Sequence, residues 1–295
     1  MKHTGIYIAA ALAAFALAGC RAEQAQAPET VSEARSYTLR IQAEKVSDTR
    51  ALSLDENVLN AYWKDTETVK VYKGGVCIGE LSVEPLEGEK PTTAALTGEI
   101  NVEGLETGNE LTLLLPRDSW DYSGQKGILS GAGSIEDTYD YTMATVTVTR
   151  IEGSAVTTSG AEFQHQQSIY RFGFKAGDAA LPVGKLYINA TSWMLIKERV
   201  LDGSAWVSTP GTIIVKPEAP TSDLLYISLR NEIAGTGSTD AYEFTIIGDD
   251  NAAYLGTKAI PASALNAQGR FISSASVDVT KAVMAVAADG TEEVW

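Results

Sequence analysis

The sequence predicts an all-β chain, because short runs of β-branched and aromatic residues follow one another with Gly, Pro, Asp or Asn between them. Several of these runs alternate apolar and polar residues with a period of two, and long segments with the 3.6-residue period of a helix are missing from the sequence. This pattern indicates sandwiches or barrels. We expect two tandem β-sandwich domains, residues 51–156 and 157–295, behind an export signal.

The N-terminus has the features of an export signal. Residues 6–18 form an apolar run that is too short to span a bilayer as a mature helix. The run ends in "LAGC", which resembles a bacterial lipobox and implies cleavage before Cys20 and lipidation of its thiol. An ordinary signal peptide with a chance cysteine is the alternative. We expect residues 1–19 to be removed and the lipid on Cys20 to tether the precursor to a membrane.

Residues 20–50 are predicted to hold a flexible tether and one isolated strand. The tether is polar and rich in Ala, Gln and Glu. In the stretch 36–46, Tyr37, Leu39 and Ile41 alternate with polar residues, which is typical of a half-buried strand. The exposed loop "SDTRALSLDEN" follows and contains the bond between Arg50 and Ala51.

A hairpin opens the predicted first domain. The strand signals at 68–73 and 76–83 flank Gly74-Gly75, whose conformational freedom suits a two-residue turn. Cys77 lies in the second of these runs, and we expect it to be a small buried apolar residue. Further on, "SGAGSIED" predicts a loop or a short helix and not a nucleotide-binding turn.

The C-terminal segment, residues 276–295, predicts a long terminal strand, then a turn at Asp289-Gly290 and an apolar end at Val294-Trp295. Val277, Val279 and Val283 alternate with other residues, and the chain ends in Trp295. Because chain termini are usually polar and mobile, a terminal Trp should fill a groove in its own domain or in a neighbour.

Charge and side-chain chemistry exclude several classes of function. The chain carries 38 acidic and 23 basic residues, a net charge of −15, which repels nucleic acid. His165 is the only histidine after the leader, so we expect no metal site, no cofactor and no enzymatic activity. Aromatic residues form either a sugar-binding platform or core, and we favour core; they are Tyr62, Trp63, Trp120, Tyr122, Tyr139 and Tyr141.

Several stretches together resemble the fimbrillin-like lipoproteins, the major and minor subunits of type V pili in Bacteroidales-type bacteria. In the first half these stretches are the lipobox, "YTLRIQAEK", "TRALSLDENVLNAYWKDTETVKVYKGGVCIGEL" and "LTLLLPRDSWDYSGQKGIL". In the second half they are "IYRFGFK" and "LYISLRNE…YEFTIIG". The resemblance implies transthyretin-like sandwich domains and a structural role on the cell surface, with adhesion as a further role.

The resemblance also implies a route of assembly. A trypsin-like, arginine-specific protease cuts after Arg50 and removes the strand that contains Tyr37, Leu39 and Ile41. A strand from another copy or a related pilin, here residues 276–295 with Val277, Val279, Val283 and Trp295, fills the groove and builds the fimbria. The alternative is an outer-membrane surface lipoprotein that binds a glycan or another host ligand without polymerising.

Overall fold

Strands make up nearly all of the regular structure, which confirms the predicted all-β class. The computed structural model describes residues 34–45, 53–55, 58–60, 62–191, 194–232, 241–260, 271–282, 284–286 and 292–294. These residues belong to one unit, Ala34–Trp295. Five residues with predicted roles lie outside the described ranges: Cys20, Arg50, Ala51, Val283 and Trp295.

The described elements alternate between strands and short connections. Up to residue 165 the strands are β1 (Arg35–Lys45), β2 (Ser53–Asp55), β3 (Val58–Asn60), β4 (Thr68–Lys73), β5 (Val76–Pro85), β6 (Thr93–Val102), β7 (Glu110–Leu115), β8 (Ser119–Asp121), β9 (Thr142–Glu152), β10 (Ala155–Thr158) and β11 (Ala161–His165). A short π-helix, Ile135–Tyr139, precedes β9 and agrees with the predicted loop or short helix. Its first turn is capped by Ser134, whose Oγ accepts the Asp137 N–H at 3.2 Å.

The second half of the chain supplies another set of short strands. They are β12 (Ser168–Ala176), β13 (Ala179–Ala180), β14 (Val183–Ala190), β15 (Met194–Asp202), β16 (Ala205–Pro210), β17 (Ile213–Val215), β18 (Leu225–Glu232), β19 (Ala241–Gly248), β20 (Ala253–Ala259), β21 (Phe271–Lys281), β22 (Met284–Val286) and β23 (Glu292–Val294).

The first sheet closes on itself. Its pairing order runs β10-β1-β11-β9-β7-β4-β5-β6, and additional pairings join β1 to β6 and β10 to β9. Going round the ring, β1 therefore lies between β6 on one side and the β10 and β11 pieces on the other. Closure removes the exposed edges that an open sheet would have.

The second sheet is open and runs in the order β16-β15-β18-β12-β21-β20-β19-β14-β17. β8, which precedes the last strands of the first sheet, pairs with β15 and so ties the first half of the chain to the second sheet. Two large buried apolar clusters follow the two sheets, and the cluster of the second sheet also includes Tyr72 of β4 and Leu114 of β7. Whether the two sheets correspond to the predicted tandem sandwich domains stays a prediction, and the proposed boundary at 156/157 lies within β10.

The Gly74-Gly75 hairpin is present as predicted, with φ angles of 57° and 80° between β4 and β5. The expectation for Cys77 is wrong, because its side chain is exposed. The pairing register shifts next to Tyr72, so that Val71 faces Gly79 while Tyr72 faces Cys77. A bulge of this kind interrupts the alternation of faces, and both Val76 and Cys77 then point outward.

The predicted long C-terminal strand is present only in part. The strand that contains Val277 and Val279 starts at Phe271 and ends at Lys281. Beyond it, β22 and β23 pair with each other in a small antiparallel sheet. Alternation in the sequence therefore continued past the point where the strand ends.

Candidate functional site

The candidate site is β1 together with the walls that hold it. Along one side, β1 pairs antiparallel with β6 from Arg35 opposite Val102 to Glu44 opposite Thr93, without a register shift. The strand predicted from the alternation at 36–46 is thus present, and it is an integral strand of the closed first sheet. The sequence had suggested a strand isolated from the body of the fold, and this expectation is wrong.

The other side of β1 is paired less completely. Thr38 and Leu39 pair in parallel with β10, and the pairing resumes only at Ala43 with β11. β11 pairs with β9 only near its end, at Gln164 and His165. An open cavity of about 610 Å³ lies beside the β11 contact and is lined by residues 42–44 of β1, 143–145 of β9 and 160–162 at the start of β11. One flank of β1 is therefore an interrupted ladder, which needs fewer hydrogen bonds to break than a continuous one.

The inward face of β1 fills the core of the first sheet. Tyr37, Leu39, Ile41 and Ala43 are all buried, and Leu39 has no exposed surface. Burying a Leu or Ile side chain contributes about 1.5–3 kcal/mol. Removal of β1 would therefore leave an apolar groove bordered by the unpaired backbone of β6, a form that readily accepts another strand.

A lysine ends the inward face of β1. Lys45 is only 3% exposed, and its Nζ lies 2.8 Å and 3.0 Å from the two carboxylate oxygens of Glu67. It also donates to the carbonyl oxygen of Tyr62 at 3.0 Å and lies 4.3 Å from the ring centre of Trp63. A buried ammonium group needs such partners, because desolvation of an unpaired charge is very unfavourable.

Sequence reasoning missed Lys45 and Glu67 as a pair. The signal that was available is the alternation Tyr37, Leu39, Ile41, Ala43, which places Lys45 on the inward face if it is continued by one step. Nothing in the local sequence points to Glu67, since the two residues are far apart in the chain and meet only through the sheet.

Charged residues next to Glu67 form a second ion pair. Lys64 Nζ contacts Glu136, and the Tyr62 hydroxyl donates to the same carboxylate at 3.4 Å. Burial lowers the pKa of Lys64, but the hydrogen bond and the charge of Glu136 outweigh it, so the pKa lies above its usual value. The segment 62–67 therefore also has contacts to the body of the fold that do not involve β1.

The predicted donor residues that the structure describes are buried and paired within their own sheet. Val277 and Val279 are buried in β21, which lies between β12 and β20. Lys281, at the end of β21, is 59% exposed and pairs with Asp250 at 2.8 Å. The structure thus brings Tyr37, Leu39 and Ile41 together in the first sheet and keeps Val277 and Val279 in the second.

The aromatic residues considered for a sugar platform are mostly core residues. Five of the six are buried: Trp63, Trp120, Tyr122, Tyr139 and Tyr141. Trp120 stacks on Trp206 with ring centres 4.0 Å apart, and the Arg199 guanidinium lies 4.8 Å from the Trp206 ring. The favoured interpretation of these residues as core is confirmed, and Trp120 presents no face to a sugar.

In the described ranges, no helix combines the length and apolarity needed to cross a bilayer. Groups of three or more His, Cys, Asp or Glu side chains placed to hold a metal are likewise not found in the part of the chain that the structure describes.

Comparisons with known proteins give similarities of structure only. No family model matches the chain, and no curated protein matches it in sequence. A candidate cell adhesion protein from Bacteroides uniformis is 13% identical with a TM-score of 0.43, covering 83% of this chain and 96% of that one.

Two fimbrial structures are also similar. A fimbrial assembly protein from Parabacteroides distasonis is 7% identical with a TM-score of 0.38, covering 89% of this chain and 100% of that one. The tip fimbrial protein Mfa3 from Porphyromonas gingivalis, with a C-terminal truncation, is 10% identical with a TM-score of 0.35, covering 80% and 88%. At these values the similarities assign neither a family nor an activity to this chain.

Proposed function

We propose that this chain is a structural subunit of a cell-surface fimbria that polymerises by exchange of β1 for a strand of another copy. The observation that carries the proposal is the position of β1. It is the first described strand of the chain, it closes the ring between β6 and the β10 and β11 pieces, and its inward face is buried. A single cut between β1 and β2 would separate this one strand from all the others.

The cut is proposed after Arg50, by an arginine-specific protease. Arg35 is the first residue of β1, and Arg40 lies within its paired length. A protease binds its substrate in an extended, accessible conformation, so a bond within a paired strand is protected. Arg50 follows the end of β1 in the sequence. A cut after Arg50 therefore releases the whole strand, whereas a cut after Arg35 or Arg40 would leave part of β1 attached to the body.

The donor is proposed to be the C-terminal segment that follows β21. Val277 and Val279 support the core of their own sheet, so withdrawing β21 would disrupt that sheet. Among the described strands, β22 pairs only with β23. A two-stranded hairpin has marginal stability by itself, so its strands could be released at small cost. We therefore assign the donor to residues 282–295, which include Val283 and Trp295.

Donor and acceptor are different surfaces of the chain, so their contact is heterologous and extends into a filament. The precursor would be held at the outer membrane by a lipid on Cys20 until it is processed. The subunit itself needs no catalytic group in this scheme. Adhesion would be a property of the assembled fimbria.

N-terminal sequencing of the protein released from the cell surface tests the processing step. We expect Ala51 as the first residue, and we expect Arg50→Ala to block release while Arg40→Ala leaves it unchanged. A released or surface-bound mature form that begins at Cys20 would contradict the proposal. It would favour a lipoprotein that does not polymerise and binds its ligand as a monomer.

A further inference from the structure

The contacts around Lys45 form a binding site for a cation. The ammonium group is surrounded by the carboxylate of Glu67, the carbonyl oxygen of Tyr62 and the face of the Trp63 ring, at 2.8 Å, 3.0 Å and 4.3 Å. A carboxylate, a carbonyl oxygen and an aromatic face are all groups that attract positive charge. The site therefore selects a positively charged side chain at one end of the groove.

The site is built by the body of the fold and not by β1. The backbone N–H of Lys64 donates to Glu67 Oε2 at 2.9 Å and fixes the carboxylate. The backbone N–H of Trp63 donates to Pro91 O at 2.7 Å, and its ring packs edge-to-face on Phe163, with ring centres 5.1 Å apart. A cut after Arg50 would remove Lys45 and leave this site formed and without its cation.

The Glu67 carboxylate, the Tyr62 carbonyl oxygen and the Trp63 ring together are called the Glu67 site. We propose that the Glu67 site is a cation subsite of the strand-exchange groove and that it binds Lys281 of a second copy. This inference rests on the proposed function and names the residue that anchors the incoming segment. Lys281 immediately precedes the proposed donor, residues 282–295. After Arg270 it is the only basic residue in the sequence, and the segment that follows it is acidic.

The ion pair of Lys281 with Asp250 is weak enough to be exchanged for another partner. The Lys281 side chain is 59% exposed and its ion pair with Asp250 is at the surface. Exposed ion pairs contribute little to stability because water competes for both charges. The Glu67 site offers the same side chain two carboxylate oxygens, a carbonyl oxygen and a ring face in a largely buried setting.

An anchor at the end of the groove would set the register of the incoming strand. Side chains on one face of a strand repeat every two residues, so a shift by one residue would turn the whole face outward. Lys45 is the last residue of β1. A donor whose Lys281 occupies the Lys45 position therefore runs in the direction opposite to β1, and its Val283 occupies the Ala43 position.

A charge swap tests the subsite. In the acceptor, Lys45→Glu combined with Glu67→Lys keeps an ion pair in the precursor but leaves a lysine in the groove after cleavage. We expect the cleaved double variant to lose the ladder of oligomers that the cleaved wild type gives in semi-denaturing electrophoresis. Adding Lys281→Glu to the same chain should restore the ladder. Lys258→Glu, at an exposed lysine of β20, is the matched control and should not restore it.

The outcomes separate the subsite from the proposed function. If the cleaved wild type forms no ladder, polymerisation by strand exchange fails, and the subsite fails with it. If the double variant forms a ladder as well as the wild type does, the subsite is wrong while the function stands. Restoration by Arg270→Glu in place of Lys281→Glu would overturn the choice of Lys281. Should the double variant not fold, Glu67→Gln alone is expected to slow ladder formation at least tenfold, and an unchanged rate would overturn the proposal.

Discussion

Lys45 is the residue of β1 that we expect to determine which strand the proposed groove accepts. Its neighbours on the inward face of β1 are apolar, and any apolar strand could replace them with similar burial. Lys45 differs, since the residue is 3% exposed and its ammonium group donates to both carboxylate oxygens of Glu67. A strand without a cation at this position would leave the carboxylate of Glu67 unpaired in the groove.

Replacing Lys45 by methionine should destabilise the uncut protein. The apolar stem is retained, but Glu67 loses its buried partner, and an unpaired polar group in such a place costs about 1–3 kcal/mol. Arg40→Met removes the same charge from the exposed face of the same strand and should change the free energy of unfolding by less than about 0.5 kcal/mol. Urea denaturation of both variants measures the difference, and equal effects would show that the Glu67 contact adds nothing.

At the scale of elements, the tips of two hairpins meet. Gly75, in the turn between β4 and β5, approaches the backbone of Gly203 so closely that an added Cβ would lie 1.5 Å from the Gly203 carbonyl oxygen. Gly203 belongs to the turn between β15 and β16 of the second sheet. The turn of one hairpin thus requires a glycine for contact as well as for its positive φ.

The two glycines of the first turn provide a matched pair of variants. Gly74 also has a positive φ, of 57°, but an added Cβ there meets no atom within 4 Å. Both alanine variants carry the strain of a left-handed backbone, and only Gly75→Ala also displaces the second hairpin. We expect Gly75→Ala to lower the free energy of unfolding by about 1–3 kcal/mol more than Gly74→Ala. Similar melting temperatures for the two variants would contradict the close packing.

Local sequence pattern predicted elements better than it predicted their partners. Alternation correctly located β1 and the hairpin of β4 and β5, because the period of two is imposed by burial on one face. It did not show that β1 pairs with β6, since that partner is set by the closure of the sheet and has no local signature. The alternation also continues past Lys281, where the strand ends, because alternation does not mark where pairing stops. The bulge near Tyr72 places Cys77 on the exposed face, which the local sequence did not predict.

At the scale of the whole molecule, chain order and sheet closure act together. The first sheet closes only through β1, which comes before Arg50 in the sequence, while the strands from β4 to β11 come after it. Loss of β1 would open the ring and expose the edges of β6 and of the β10 and β11 pieces. On the proposed route, a cut in one connection therefore turns a closed sheet into an open one that can accept a strand.

The most direct test is to hold β1 in place after the cut. Arg40 lies opposite Thr97 of β6, and facing residues in antiparallel strands are about 4.5–5.5 Å apart at Cα, within the range of a disulfide. The measurement uses a chain that begins at Arg21 and carries Arg40→Cys, Thr97→Cys and Cys77→Ser. It is cleaved after Arg50 by an arginine-specific protease and run on semi-denaturing gels with and without reductant.

We predict that the oxidised, cleaved protein stays monomeric and that reduction releases β1 and produces a ladder of oligomers. The same chain with Arg50→Ala should stay monomeric under both conditions. A ladder from the oxidised, cleaved protein would show that polymerisation does not require the departure of β1. A protein that remains monomeric after cleavage and reduction would contradict strand exchange altogether.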